Sequence, residues 1–370
     1  MTVRVLIVDD SALMRQLLTA LLSEDPEIEV VDAAPDALVA REMIKALDPD
    51  VITLDVEMPR MDGLTFLRKI MALRPMPVVM ISTLTQSGAE VTLEALEAGA
   101  VDFVAKPTSS VGPAMAAQAE ELRAKVKAAA GTRVRARPEL TKPPVPQRQA
   151  LNRRTGKILL IGASTGGVEA LKTVLMDLPA DCPPTLVTQH MPERFTAAFA
   201  SRLNRECPMT VCEAADRQRV EPGCVYIAPG AHHLELGRDG LAYVCRLNDG
   251  PPVSGHRPSA DVLFRSGARV AGPKSIGVIL TGMGKDGAEG LLEMRKAGAS
   301  TLGQDQASSL IYGMPRVAFE RGGVERQFPL TELAGAIVDR CGDKASVGAG
   351  LGSRPGRWDG GAPATMTTRE

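Results

Sequence analysis

The sequence contains few cysteines and few histidines, and both shortages restrict the chemistry it can support. Its six cysteines have irregular spacing and form no CxxC pair, which argues against a zinc site or a disulfide framework. Cysteine usage of this kind is typical of the reducing cytoplasm. The four histidines leave a short set of candidates for a catalytic base.

Long hydrophobic runs and an excess of either charge are also absent. No stretch approaches the roughly 20 apolar residues that cross a membrane. The chain begins MTVRVLIVDD, where the apolar run is too short for a secretory signal and ends in two acids. The formal net charge of −1 gives no indication of nucleic-acid binding. We therefore expect a cytoplasmic protein with no membrane insertion and no nucleic-acid partner.

The sequence is rich in apolar, β-branched runs that alternate with helical patterns. Residues 1–123 carry five such units, and residues 156–341 resume the alternation after an interruption. This pattern predicts parallel sheets covered by helices on both faces. A chain of 370 residues is long enough for two cores. We predict an α/β protein with two doubly wound parallel-sheet domains.

The segments outside these two domains differ in composition. Residues 124–155 are rich in arginine and proline, and we interpret them as a solvated interdomain linker, with a basic docking strip as the alternative. Residues 342–370 are rich in glycine and alanine, which predicts a disordered tail. Inside the second domain, the letters GRDG between two apolar runs predict a β-hairpin.

Acids, a hydroxyl and a lysine follow the predicted strands of the first domain. Asp9 and Asp10 end the first strand, Asp55 the third, Ser82 the fourth and Lys106 the fifth. The carboxyl ends of parallel strands meet at one edge, so these groups converge. Clustered carboxylates repel one another unless a cation is present, and oxygen ligands suit Mg²⁺. One free carboxylate could then attack a phosphoryl group, although any one of these acids alone is typical of a helix cap.

Four stretches of the first domain together resemble the receiver domain of two-component response regulators. They read LIVDDSALMR, DVITLDVEMPRMDGL, PVVMIST and GAVDFVAKP. The resemblance implies a flavodoxin-like fold in which Asp55 accepts phosphate from a histidine kinase, and Asp9 and Asp10 hold Mg²⁺ together with Asp55. It also implies three switch residues that respond to phosphorylation: Ser82, Phe103 and Lys106. Lys106–Pro107 is a predicted cis peptide bond.

The turn IGASTGG at residues 161–167 separates a strand-like run from a helical pattern. A phosphate-binding P-loop needs a lysine after its second glycine, and Val168 stands here; the dinucleotide pattern GxGxxG does not match either. Gly162 to Gly166 instead fits GxSxG. In a strand–turn–helix elbow, this motif exposes the hydroxyl of Ser164 and offers the next backbone N–H to an oxyanion. A nucleophile of this kind needs a base and an orienting acid.

The second domain offers candidates for both partners of Ser164. The candidate bases are His190, His232, His233 and His256. His190 has the best position because it ends a strand at the same sheet edge as Ser164, but His232 and His233 remain competitors. Asp286 follows another predicted strand and is the favoured acid, with Asp261 second. The order Ser–His–Asp differs from that of α/β-hydrolases, but triads recur on unrelated folds.

Six stretches of the second domain resemble the catalytic domain of chemotaxis protein-glutamate methylesterases. They read IGASTGGVEAL, QHMPERFTAAFASRLN, VYIAPGAHHLEL, HRPSADVLFRS, VILTGMGKDGAEGL and YGMPRVAF. The resemblance implies the triad Ser164, His190 and Asp286, with Thr165 and Met283 as candidate oxyanion-hole N–H donors. It further implies cofactor-free demethylation of glutamate esters and deamidation of glutamines on chemoreceptors. From the domain order we expect that the receiver covers the Ser164 crevice until Asp55 is phosphorylated.

Three other functions are compatible with parts of the sequence. The protein could be a phosphorylation-controlled, receptor-binding adaptor whose esterase activity is secondary, although an intact set of serine, histidine and acid argues against this. A transcription regulator is disfavoured because no basic helix-turn-helix segment is visible. A hydrolase with a different substrate stays open, since the sequence does not identify the ester.

Overall fold

The computed structural model describes residues 2–83, 85–106, 113–132, 134 and 156–341. Most of the predicted linker 124–155 and the whole predicted tail 342–370 lie outside these residues, and so does Pro107 of the predicted cis peptide bond. Within the described part of the chain, no helix has the length and apolar character needed to cross a membrane.

The first domain is a five-stranded parallel sheet with strand order β2-β1-β3-β4-β5. Its strands are β1 (Val3–Val8), β2 (Ile28–Ala34), β3 (Val51–Asp55), β4 (Val78–Ser82) and β5 (Asp102–Ala105). Its helices are α1 (Ala12–Ser23), α2 (Ala37–Leu47), α3 (Gly63–Leu73), α4 (Gln86–Glu97) and α5 (Pro113–Ala130). Helices α1 and α5 pack on one face and the other three on the opposite face. Strands β3 and β4 are buried along their whole length, which explains their continuous apolar sequence.

Helix α5 continues past residue 123, where the sequence analysis places the start of the linker. Residues 124–130 are helical, and Val126 and Ala129 of this last part are buried against the sheet. Its sequence AKVKAAA consists mainly of strong helix formers. The arginine- and proline-rich composition therefore begins after the helix ends.

The second domain is a seven-stranded parallel sheet with strand order β14-β13-β12-β6-β7-β9-β8, beside a separate hairpin of β10 and β11. The strands are β6 (Ile158–Ala163), β7 (Thr185–Gln189), β8 (Thr210–Glu213), β9 (Cys224–Ile227), β10 (His233–Asp239), β11 (Ala242–Asn248), β12 (Ser275–Ile279), β13 (Ser300–Gln304) and β14 (Arg326–Phe328). The helices are α6 (Gly167–Asp177), α7 (Glu193–Glu206), α8 (Ala260–Val270), α9 (Ala288–Lys296), α10 (Met314–Glu320) and α11 (Leu330–Cys341). The predicted class, two parallel-sheet α/β domains, is confirmed.

The predicted hairpin is confirmed, but its turn lies further along than GRDG, because Gly237–Asp239 still belong to β10. Strands β10 and β11 pair in antiparallel register from His233 with Asn248 to Asp239 with Ala242. This register leaves Gly240 and Leu241 as a two-residue turn, and Gly240 has a φ of 56°, a conformation that favours glycine.

The two domains contact each other through helix α4 and strand β5 of the first domain. Helix α4 packs against α6 and α7 of the second domain. Across the interface, the ring centroids of Phe103 on β5 and Phe195 on α7 are 4.4 Å apart. This arrangement places one edge of the first domain over the sheet edge that carries Ser164.

Candidate functional site

Ser164 lies in the turn between β6 and α6, as the strand–turn–helix pattern predicts. Its N–H donates to the carbonyl of Thr281 at 3.0 Å, and the N–H of Gly167 donates to the carbonyl of Ser164 at 2.6 Å, which closes the turn. Gly166 has a φ of 76°, a conformation that favours glycine. A Cβ at Gly282 would lie 2.7 Å from the Cβ of Ser164, so glycine there leaves space for the serine.

His190 follows β7, the strand beside β6, and its imidazole lies against the hydroxyl of Ser164. The distance from its Nδ1 to Ser164 Oγ is 3.1 Å, and its Nε2 lies 2.8 Å from Oδ2 of Asp286. Donation to a carboxylate places the proton on Nε2, so the lone pair of Nδ1 faces the serine hydroxyl. This is the geometry of a general base for a serine nucleophile.

Asp286 lies between β12, the other neighbour of β6, and α9, and its carboxylate is buried. Besides His190, it accepts from the Ser259 hydroxyl at 2.7 Å, the Ala260 N–H at 2.7 Å and the Asp261 N–H at 3.2 Å. Burial alone would raise the pKa of Asp286, but the hydrogen bonds from His190, Ser259 and Ala260 lower it to about 2. The carboxylate therefore stays charged and can orient the imidazole.

The two candidate oxyanion-hole residues lie on either side of Ser164. Thr165 follows it in the turn, and Met283 follows Gly282, the glycine that approaches the serine. Among the described residues, neither the Thr165 N–H nor the Met283 N–H donates a hydrogen bond. Their role stays a prediction, because it depends on where the oxyanion forms.

His232 and His233 make contacts that keep them out of the base role. His232 pairs with Asp249 and is partly exposed. The buried His233 uses both ring nitrogens: Nδ1 accepts from the Ser259 N–H at 3.1 Å, and Nε2 donates to the Pro251 carbonyl at 3.0 Å. The structure brings neither ring to Ser164.

His256 and Asp261, the remaining alternatives, lie next to the triad and do not replace it. The ring of His256 stacks on that of His190, with centroids 3.8 Å apart. The Asp261 carboxylate accepts from the Gly290 N–H at 2.7 Å and so joins the starts of helices α8 and α9. Of the candidates, the structure therefore brings His190 and Asp286 into line with Ser164.

The predicted acidic cluster forms at the carboxyl edge of the first sheet. One oxygen from each of Asp9, Asp10 and Asp55 lies within 4.8 Å of the others. Oδ2 of Asp9 is buried, and its contact with the ammonium of Lys106 at 3.5 Å is an ion pair without hydrogen-bond geometry. Burial raises the pKa of Asp9, and it raises that of Asp55 to about 6 against the opposing effect of Lys106, whose Nζ lies 2.7 Å from Oδ2 of Asp55. Burial disfavours the charged forms of these clustered carboxylates, and a bound divalent cation would compensate for that. The cluster therefore fits a site for such a cation.

Ser82 is the last residue of β4, as predicted, and Phe103 is the second residue of β5. The Ser82 hydroxyl accepts from the hydroxyl of Thr92 at 2.7 Å. Phe103 is buried and packs its ring on Phe195 of the second domain. The aromatic residue predicted to be a switch therefore belongs to the domain interface.

Two protein-family models match the chain: CheB methylesterase over residues 159–337 and the response regulator receiver domain over residues 5–112. The protein-glutamate methylesterase/protein-glutamine glutaminase of Methylobacillus flagellatus is 54% identical over 344 residues, which cover 91% of this chain and 96% of that protein. The chain belongs to the CheB methylesterase family. In this family member the methylesterase domain follows the receiver domain.

The chain is similar to other proteins as well. Protein-glutamate methylesterase/protein-glutamine glutaminase 1 of Caulobacter vibrioides is 58% identical over 339 residues, 91% of this chain and 97% of that protein. The crystal structure of the Thermotoga maritima CheB methylesterase catalytic domain is 36% identical, covers 50% of this chain and 98% of that chain, and has a TM-score of 0.49.

Sequence reasoning missed several residues that touch the site, among them Ser259 and Asp102. Ser259 precedes α8 and has the identity of an N-cap, yet its hydroxyl donates to Asp286 and makes no cap hydrogen bond. Asp102 of the receiver accepts a hydrogen bond from the Thr165 hydroxyl. A serine just before a predicted helix indicates an N-cap, which is not the role of the Ser259 hydroxyl here. Nothing in the sequence indicated a role for Asp102.

Proposed function

We propose that the protein is a phosphorylation-controlled serine hydrolase that demethylates glutamate methyl esters and deamidates glutamines on chemoreceptors. The observation that carries this proposal is the continuous hydrogen-bonded path from Ser164 through His190 to Asp286. The names of the relatives, protein-glutamate methylesterase/protein-glutamine glutaminase, support the choice of substrate. We place the protein in the cytoplasm, in keeping with its cysteine usage.

The first half of the reaction forms an acyl-enzyme. His190 takes the hydroxyl proton at Nδ1 as Ser164 Oγ attacks the ester carbonyl carbon, and Asp286 stabilises the imidazolium. The N–H groups of Thr165 and Met283 are our candidates to hold the oxyanion. As the C–O bond to the methoxy group breaks, His190 returns the proton and methanol leaves.

The second half regenerates the serine. His190 now takes a proton from water, whose oxygen attacks the acyl carbon. The Ser164 oxygen leaves with that proton, and the product is a free glutamate side chain. A glutamine side chain follows the same steps with ammonia as the leaving group, so no cofactor is required for either substrate.

The receiver would control this chemistry through phosphorylation of Asp55 by a histidine kinase. Asp9, Asp10 and Asp55 would hold Mg²⁺, which neutralises charge on the transferring phosphoryl group when bound. Lys106 Nζ, which lies 2.7 Å from Asp55 Oδ2, would hold a phosphoryl oxygen once Asp55 is modified. Its present ion pair with Asp55 would then be lost, so the receiver would have two arrangements.

The receiver covers the Ser164 crevice in this structure. A cavity of about 270 Å³ lies between the domains, with Asp102 and Phe103 on one side and Ser164 and His190 on the other. Thr165 donates its hydroxyl to Asp102, whose other oxygen lies 3.4 Å from the ammonium of Lys125. A chemoreceptor helix could not reach Ser164 unless these contacts open.

An ion-pair cluster joins the domains beside this crevice. Glu97 at the end of α4 pairs with both Lys172 and Arg202 of the catalytic domain. Glu206 also contacts the same two cations, at 2.6 Å and 3.3 Å. The cluster is largely shielded from solvent, so the loss of one carboxylate would leave positive charge poorly compensated.

We expect a small phosphodonor with Mg²⁺ to raise methanol release at least about fivefold, the lower range of coupling between sites. Substrate would be methylated receptor membranes. Asp55→Asn should show the basal rate with and without phosphodonor, and Asp32→Asn, an exposed receiver acid, should respond normally. Equal responses of wild type and Asp55→Asn would contradict control through Asp55 while leaving the esterase assignment intact.

We expect Glu97→Gln to raise the rate without phosphodonor about threefold or more, because a weakened interface uncovers Ser164 more often. The matched control is Glu94→Gln on the same helix, since Glu94 pairs with Arg68 inside the receiver at 3.6 Å. The measurement is basal methanol release by each variant. A basal rate that is unchanged in Glu97→Gln would mean that this cluster does not hold the crevice closed.

A further inference from the structure

The loop before helix α8 carries His256 to the triad. Val253 and His256 exchange two backbone hydrogen bonds of 3.0 Å, and Ser254 and Gly255 between them have φ values of 55° and 82°. Such a two-residue turn fixes the direction of the side chains that flank it. As a result, the His256 ring lies on the His190 ring with centroids 3.8 Å apart and an angle of 16° between the planes.

The same segment anchors the other end of the triad. Three residues after His256, Ser259 donates its hydroxyl to Asp286 and its N–H to the ring of His233. Ala260 then donates its N–H to Asp286. Residues 256–260 therefore position two groups around the imidazole of His190. These are Asp286, which accepts from one ring nitrogen, and the ring of His256, which covers one face.

His256 carries no charge in this position near neutral pH. Burial is the largest effect on its pKa, and together with His190 and Lys125 it outweighs Asp286 and Glu121 and lowers the pKa to about 4. An uncharged ring does not repel the imidazolium that forms on His190 during catalysis, whereas a second imidazolium stacked on it would.

We propose that His256 is a positioning residue of the esterase: its ring packs flat on the imidazole of His190 and holds it in line between Ser164 and Asp286. The inference rests on the triad proposed above. The hydrogen bonds to Ser164 and Asp286 hold the two ring nitrogens, and the motion left to the imidazole is a small rotation about its Cβ–Cγ bond. A flat neighbour on one face restricts that rotation, because it fills the space into which the ring would turn. No hydrogen bond from His256 to substrate is needed, so the ring matters and its nitrogens do not.

Two substitutions of His256 distinguish the effect of a flat ring from the effect of side-chain volume. His256→Phe keeps a flat ring, and His256→Gln fills similar space with a polar chain that cannot stack. In full-length, phosphodonor-activated protein, we expect His256→Gln to lower kcat for methanol release about three- to tenfold, the range of an aromatic pair. KM should stay the same, and His256→Phe should retain more than half of the wild-type kcat. His232→Gln, at a histidine outside the triad, should match wild type.

Controls separate this inference from the proposed triad. Ser164→Ala has to be inactive in the same assay; if it is active, the triad itself fails. With Ser164→Ala inactive, three results would each overturn the positioning role: an unchanged kcat in His256→Gln, an equal loss in His256→Phe and His256→Gln, or a raised KM at constant kcat. Thermal unfolding of each variant shows whether it is folded, and His256→Phe gives the decisive comparison if His256→Gln is not.

Discussion

Ser164→Ala is expected to lower methanol release from methylated receptor membranes by a factor of at least about 10³, in the presence of phosphodonor. Alanine removes the only atom that can form the acyl-enzyme and leaves His190 without a hydroxyl to deprotonate. The turn itself should persist, because it is closed by backbone hydrogen bonds of Ser164 and Gly167 that alanine also makes. Loss of activity would then be chemical and not structural.

Two controls make this experiment decisive. Ser201→Ala removes an exposed hydroxyl of helix α7 and should leave the rate unchanged. Phosphorylation of Asp55 in Ser164→Ala should proceed at the wild-type rate, since the acidic cluster lies in the other domain. Release that survives in Ser164→Ala would exclude Ser164 as the nucleophile. Normal receptor-dependent output in cells that carry only the inactive variant would favour the adaptor function.

The parallel-sheet architecture was predictable because its central strands are apolar and buried on both faces. Strands of this kind appear as unbroken apolar runs, as in β4 and β6, and periodicity finds them directly. Three edge or short strands, with sequences TVCE, STLGQ and RQF, were not predicted. Each is three to five residues long and contains polar residues, so only pairing with a neighbouring strand defines it.

The grouping of Ser164, His190 and Asp286 was predictable for a topological reason. Each follows one of three adjacent parallel strands, β6, β7 and β12, and the loops after such strands share one sheet edge. The same rule gathers Asp9, Asp55 and Lys106 in the receiver. Position along the chain therefore carried most of the information about both sites.

The contacts that tune these sites could not be predicted, because they join elements far apart in the sequence. The bond from Thr165 to Asp102 spans two domains, and the stack of His256 on His190 depends on how a loop folds back over the sheet. Single-chain patterns describe local periodicity and strand ends. They do not state which loop covers which edge, and that is decided by tertiary packing.

Asp286→Asn is expected to lower kcat for methanol release at least about 100-fold, and about 10⁴-fold if the histidine proton moves to the wrong nitrogen. Oδ2 of Asp286 accepts from His190 and from the Ala260 N–H at 2.7 Å, whereas Oδ1 accepts from Asp261 N–H at the longer distance of 3.2 Å and from the Ser259 hydroxyl, which can rotate. The amide NH₂ of asparagine should therefore take the Oδ1 position. His190 then keeps its Nε2 proton, and the loss comes from the missing negative charge beside the imidazolium.

The matched control for this substitution is Asp261→Asn, which removes a neighbouring buried acid that does not contact His190. Its carboxylate accepts from the Gly290 N–H at 2.7 Å, so we expect a less stable protein whose kcat stays within about threefold of wild type. Methanol release at saturating substrate and a thermal unfolding midpoint, measured for both variants, distinguish the two effects. A large kcat loss in Asp261→Asn with little loss in Asp286→Asn would make Asp261 the orienting acid. Comparable large losses in both would instead mean that the carboxylates act together through the start of helix α8.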